Sequence, residues 1–438
     1  MTKETINIPV SNSGHKHPLL AVFLTVFIDL LGVGILIPVF PQLVNPGSPD
    51  SILPAGWTMA QGFILLGWLS AAYPLAQFLA APIMGQLADR YGRKPVLAFS
   101  IFGTSVGHVL FAVGLITKNI PLLFASRILD GVTGGNISVA QAAIADISTP
   151  KNRAKNFGLI GMAFGLGFIL GPYIGGKLID PSIMSWFNVA TPFWFAASLA
   201  FLNMIMILLF LPETLKVKIK KRLDLTKPFH NIASAFSRPG LRDIMPSSFL
   251  FTAGFTFFTT FFGLILLQKF NFSPSNTGDY FAYVGLWIAI VQGGIVGKVS
   301  KKYKDFQVLR FSMFITAVSL LGYAFIPAGE YRWLFLVAPF LALGNGLTMA
   351  FNSALVSRVT PPEMQGESLG INSSVMALAQ SIPAIISGYV ASVNDNLPLF
   401  VAGSLVFCGG IIFWILVKPG KTDKFAAPSG ATTPDTAQ

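Results

Sequence analysis

The chain has 438 residues, of which 53% are hydrophobic and only 11% charged, with 40 phenylalanines. A soluble domain carries about 25% charged residues, so an ordinary water-soluble globule is excluded and a polytopic membrane protein is indicated. The formal net charge of +12 does not point to nucleic acid, because the basic residues sit in loops between apolar runs.

Lys3, His15, Lys16 and His17 precede the first apolar run, 19–44, which is too long for a signal-peptide core. It reads as a retained transmembrane helix. Eleven further runs are long enough to cross about 30 Å of hydrocarbon: 62–88, 96–116, 121–145, 157–179, 191–212, 244–268, 280–297, 308–327, 332–357, 367–392 and 397–417. With the N-terminus inside, 25 of the 30 Lys and Arg fall in cytoplasmic segments. Only Lys118, Lys177, Lys269 and Arg332 lie outside, and Arg127 falls within a helix. Both termini are therefore expected in the cytoplasm. The organisation follows: a cytoplasmic N-terminus 1–18, a six-helix bundle 19–212, a charged cytoplasmic linker 213–243, a second bundle 244–417 and a disordered tail 418–438. The linker reads as a solvated, lipid-facing segment, with a regulatory or partner-binding role as the alternative. Cys408 stands alone, so no intrachain disulfide can form.

In the first span, Asp29 lies near mid-membrane, where an ionised carboxylate costs about 2.5–3.5 kcal/mol on insertion scales. Two readings are open. It is either a proton or cationic-substrate site, or half of a permanent ion pair with an arginine elsewhere. Between the second and third spans, GQLADRYGRKPVL (85–97) packs Asp89, Arg90, Arg93 and Lys94 into a short loop. Gly85 is expected to allow a close helix approach there, and Gly92 the positive φ of a sharp reversal. The fourth span carries Arg127 and Asp130, neighbours on one helical face. They form a self-neutralising pair, or the arginine is shared with Asp29. Asp146 ends this span as a gate or cap residue. In the fifth span Gly167, Gly171 and Gly175 bare one helix side, with Pro172 and Gly176 beside them.

A shift of 212 residues lays Gly85 on Gly297, Tyr91 on Tyr303, Leu97 on Leu309 and Pro150 on Pro362, so the halves repeat. The second copy of the loop is degenerate, with Lys301 for Asp89 and Asp305 for Arg93. Candidate cavity groups are Gln61, Tyr73 and Gln77 near the second span, Asn136 and Gln141 in the fourth, and Trp287 and Gln292 in the eighth. Asn345, Asn352, Asn372 and Gln380 extend the set, and the phenylalanines of the seventh span are packing groups of which a few could line a cavity. No GxxxxGK[ST], HExxH or paired cysteine argues for an enzyme, a metal or a cofactor.

GxLADRxGRK resembles the loop motif of the major facilitator superfamily. The arginine opening RxxxG in span four resembles that superfamily's proton-coupling motif, and GxxxGPxxGG resembles the antiporter motif of its drug–proton exchangers. Together with Asp29 and the eighth span, YFAYVGLWIAIVQGG, these look like the tetracycline-resistance type of exporter. The resemblance implies an all-α membrane protein of twelve helices in two pseudo-symmetric six-helix bundles. It also implies export of a drug-like molecule against inward proton flow, with Asp29, Arg127 and Asp130 coupling protons and Asp89, Arg90 and Arg93 latching the cytoplasmic side. The alternative is a metabolite carrier working by symport or facilitated diffusion. Partners are then a small-molecule substrate, protons and lipid, without nucleic acid, for a monomer in a bacterial inner membrane.

Overall fold

The computed structural model describes residues 6–7, 18–148, 153–215, 217–218, 223–359 and 365–418. The first half holds α1 (Pro18–Leu43), α2 (Met59–Tyr91), α3 (Arg93–Ile116), α4 (Ile120–Thr133), α5 (Asn136–Ile147), α6 (Arg153–Ile179) and α7 (Thr191–Phe210). After a short helix α8 (Lys227–Ser237) come α9 (Leu241–Phe270), α10 (Pro274–Ile290), α11 (Val296–Lys302), α12 (Asp305–Phe325), α13 (Arg332–Arg358), α14 (Gln365–Val393) and α15 (Leu397–Leu416). Ten helical stretches are each long and apolar enough to cross a bilayer. One of these is α10 and α11 run together through a π turn at Val291–Ile295. The remaining expected spans are the broken pair α4/α5 and the 27-residue α6, so the order is consistent with twelve runs. A two-residue antiparallel ladder, β1 (Ile6–Asn7) with β2 (Val217–Lys218), is the one departure from an all-helical chain among the described residues.

The charged linker is not simply solvated. Helix α8 buries Pro228, Asn231 and Ala235, and Asn231 Nδ2 donates to Ser374 Oγ on α14 at 3.0 Å. Phe229 meets Phe78 of α2 edge-on at 5.9 Å, and Gln86 and Asp224 exchange two hydrogen bonds through the Asp224 backbone. The amphipathic pattern explains this: α8 has an apolar stripe that needs a partner. The expected tail, 418–438, lies outside the described residues except for Lys418.

The two halves touch mainly at the end away from the 85–97 loop. There Gly67 of α2 faces Gly388 of α14, and a methyl group at Gly67 would lie 2.7 Å from the Ala384 carbonyl oxygen. Gly176 of α6 abuts Pro274 and Gly278 of α10, and Gly263 of α9 abuts Ile37 and Pro41 of α1. Phe63 and Phe261 close the same end edge-to-face at 5.9 Å, and Lys177 Nζ lies 2.8 Å from Asp279 Oδ2. Toward the loop end, Gly85, Gly293, Gly294, Gly297 and Gly370 each face open space, and α11 has no buried residue. The close approach expected at Gly85 is thus absent. The bundles are sealed at one end and parted at the other, with α8 bridging them.

Gly67→Val should force the α2–α14 seal apart at a cost of about 1–3 kcal/mol from overpacking. Thermal melting in nanodiscs reads this as a lower transition temperature, whereas Gly370→Ala, which meets nothing, should leave it unchanged.

Candidate functional site

The fourth span breaks at Gly134–Gly135, between α4 and α5. Two glycines in sequence are weak helix formers, and here they are also required sterically. A methyl at Gly135 would press on Met84 Cβ at 2.6 Å, and one at Gly134 would meet the Tyr73 hydroxyl at 2.9 Å. Carbonyls released by a break in hydrocarbon need new donors. Gln77 Nε2 donates to the Gly134 carbonyl at 2.7 Å, and the Ser100 hydroxyl donates to that of Thr133. Gln77 also donates to the Tyr73 oxygen at 3.0 Å.

The break sets Asn136 at the first position of α5, with its amide aimed at α1. Its Nδ2 donates to Asp29 Oδ1 at 2.9 Å, and both side chains are buried, Asp29 at 4% exposure and Asn136 at 0%. Asp29 Oδ2 has no hydrogen-bond partner among the described residues. Asp130 and Arg127 lie close by, on α4. Arg127 Nη1 is 3.3 Å from Asp130 Oδ2, and its guanidinium stacks over the Phe111 ring at 4.6 Å. Arg127 makes no ion pair with Asp29 here, so the self-neutralising pair with Asp130 describes this conformation. Asp130 Oδ1, Arg127 Nε and Arg127 Nη2 lack partners in the same sense. The site therefore sets two carboxylates against one guanidinium, all buried, with donors and acceptors to spare.

His108 also belongs to this region, and sequence reasoning missed it. It lies on α3, buried, with its ring against Gly32 of α1 and 6.3 Å from Phe193. The signal was available: His108 falls inside the third apolar run.

The glycine stripe of α6 packs on α1 just beyond Asp29. A methyl at Gly167 would lie 2.7 Å from Leu30 Cβ, one at Gly171 2.8 Å from Gly34 Cα, and one at Gly175 3.0 Å from Ile35 Cα. Gly176 turns to α10 instead, and a methyl at Gly278 there would lie 2.7 Å from the Pro172 carbonyl oxygen. Helix α6 thus couples the Asp29 helix to the opposite half.

At the parted end, Arg93 joins three elements. Its Nη1 is 2.7 Å from Asp89 Oδ1 and its Nε 3.1 Å from Asp146 Oδ2. Gly92 adopts φ 118° as expected. Sequence reasoning missed Glu213, which receives the Arg93 and Lys94 backbone amides at 2.8 and 3.3 Å and so caps α3. A side chain at Gly92 would collide with that carboxylate. Arg90 stays apart, exposed over the Tyr91 ring at 5.3 Å.

Other candidates divide. Gln61 closes a capping box with Thr58 at the start of α2 and is exposed, so it serves the helix end and not a cavity. Asn352 accepts from Ser248 Oγ at 2.7 Å, an interhelical bond. Gln292 faces Gly165 of α6 across the bundle boundary, at 3.7 Å from a methyl placed there. Trp287 Nε1, Asn345 Oδ1 and Asn372 Oδ1 are buried atoms without partners among the described residues. Gln141 is half-buried and Gln380 exposed.

Residues 22–384 match the family model described as Major Facilitator Superfamily. The chain belongs to the Major Facilitator Superfamily. Among its relatives, the class H tetracycline resistance protein of Pasteurella multocida is 27% identical over 401 residues, covering 91% of this chain and 94% of that protein. The quinolone resistance protein NorA of Staphylococcus aureus (strain COL) is 28% identical over 400 residues, covering 90% and 95%. In fold, the chain resembles the crystal structure of the human organic anion transporter MFSD10, with a TM-score of 0.69 at 22% identity, covering 91% and 99%. The major facilitator chain is accordingly an integral, multi-pass membrane transporter.

Arg127→Ala leaves two buried carboxylates without their cation and should cost about 3–5 kcal/mol, since breaking a buried pair strands its partner. Thermal melting and folded yield check this, and Arg127→Ala with Asp130→Ala should recover most of the loss.

Proposed function

We propose that this chain is a proton-coupled antiporter that exports drug-like or amphiphilic small molecules by alternating access. The observation that carries the reading is the charge count around Asp29: two buried carboxylates against one guanidinium. Burying one net negative charge in hydrocarbon is costly. One added proton or one cationic cargo removes that charge, so the two compete for the same deficit. Competition for one site is what exchange requires.

In this reading the parted end faces the cytoplasm, in line with the strong bias of basic residues to that side. Cargo would enter there and displace the proton from Asp29. Asn136 would steady one carboxylate oxygen while the other stays free to take a proton. Because Gly167, Gly171 and Gly175 of α6 leave no side chains between it and α1, a small shift at Asp29 would move α6 against α10. The drug-resistance relatives support the exporter over the metabolite symporter.

Proteoliposomes with an imposed pH gradient test this, using ethidium and tetracycline as probes. The wild type should move at least one of them uphill toward the acidic side. Asp29→Asn should fold and melt normally but move neither probe uphill. Uphill transport by that variant at the wild-type rate would overturn the assignment.

A further inference from the structure

The two bundles carry the same ion pair with its polarity reversed. The 212-residue shift that aligns the halves lays Arg93 on Asp305 and Asp146 on Arg358. The helices follow the same register: α3 begins at Arg93 and α12 at Asp305, while under the shift α13 ends at Arg358 within one residue of where α5 ends. Arg93 Nε is 3.1 Å from Asp146 Oδ2, and Arg358 Nε is 3.1 Å from Asp305 Oδ2. The second loop copy, degenerate as a motif, has kept the contact by exchanging its charges.

The exchange changes what each bundle shows to the opening. In the first bundle the cation is buried, at 9% exposure, and its carboxylates are open, Asp89 at 42% and Asp146 at 26%. In the second the carboxylate is buried at 6%, and Arg358 is open at 63%. Positions related by a two-fold axis along the membrane normal lie opposite one another. Identical polarity would therefore bring like charges together when the parted end closes. Reversed polarity brings Arg358 toward Asp146 and Asp89. In the present conformation each keeps its own partner.

We propose that Arg358 is the second half of the gate at the parted end: on closure it pairs across the bundles with Asp146 and Asp89, and the charge reversal between the repeats exists to make that pairing attractive. The inference rests on the alternating-access reading above. A pair that forms in only one state biases the equilibrium by its differential energy.

Half-reversals isolate the cross-bundle contact, because each keeps the pair inside its own bundle. Spin labels at Tyr91 and Tyr303, equivalent under the shift and both exposed, report the mouth in nanodiscs after Cys408→Ser. The wild type should give a long and a short distance. Asp305→Arg with Arg358→Asp sets carboxylates against carboxylates and should deplete the short population about fivefold, the upper range for an exposed charge network. Adding Asp89→Arg, Arg93→Asp and Asp146→Arg should restore it, with unchanged melting throughout. An unaltered ratio in the half-reversed protein overturns the gate while leaving alternating access standing. A single long distance in every variant overturns both.

Discussion

A charged side chain in hydrocarbon must be neutralised, hydrated or paired, and the first bundle is arranged around that demand at Asp29. Among the described residues no arginine answers it directly. Asn136 supplies one hydrogen bond, at 2.9 Å, and the other oxygen has no hydrogen-bond partner among the described residues. A salt bridge in that place would hold the carboxylate ionised. An amide leaves protonation open, and the nearby Arg127–Asp130 pair, itself incompletely satisfied, keeps the region polar. In the proposed exchange, stability is given up here for a site able to change its charge.

The rest of the bundle makes that arrangement feasible. The break at Gly134–Gly135 turns Asn136 toward α1, and Gln77 and Ser100 satisfy the carbonyls that the break frees. The glycines of α6 then bring a second helix to within backbone contact of α1, from Leu30 beside Asp29 to Ile35, less than two turns further on, and carry contact onward to α10. Chemistry in one helix is thereby joined to the boundary between the halves. At the parted end a separate charge cluster, built on Arg93 and capped by Glu213, fixes the start of α3.

Much of this was legible in the sequence because hydrocarbon imposes strict rules. Apolar runs of membrane length, the isolated Asp29, the Arg127–Asp130 spacing and the four-residue glycine period each have few physical solutions. Features that depend on irregular backbone were hidden. The span 121–145 stays apolar through its break, so hydropathy passes over it, although adjacent glycines marked the place. Gln61 was read as a cavity group because amides in apolar surroundings suggest function, yet the three-residue spacing from Thr58 already spelled a capping box. Glu213 sits in a loop, and nothing local to it announces an interaction 120 residues away. The Asp305–Arg358 contact escaped for a different reason: repeats are sought by identity, and here the interaction was kept while the charges were exchanged.

In the proposed exchange the Asp29 carboxyl itself gains and loses a proton inside the folded bundle. Infrared difference spectroscopy of the protein in nanodiscs, stepped between acidic and alkaline pH, reads buried carboxyl groups directly. A protonated-carboxyl band should be present in the wild type and in Asp130→Asn and missing from Asp29→Asn. Identical difference spectra for the wild type and Asp29→Asn would contradict it.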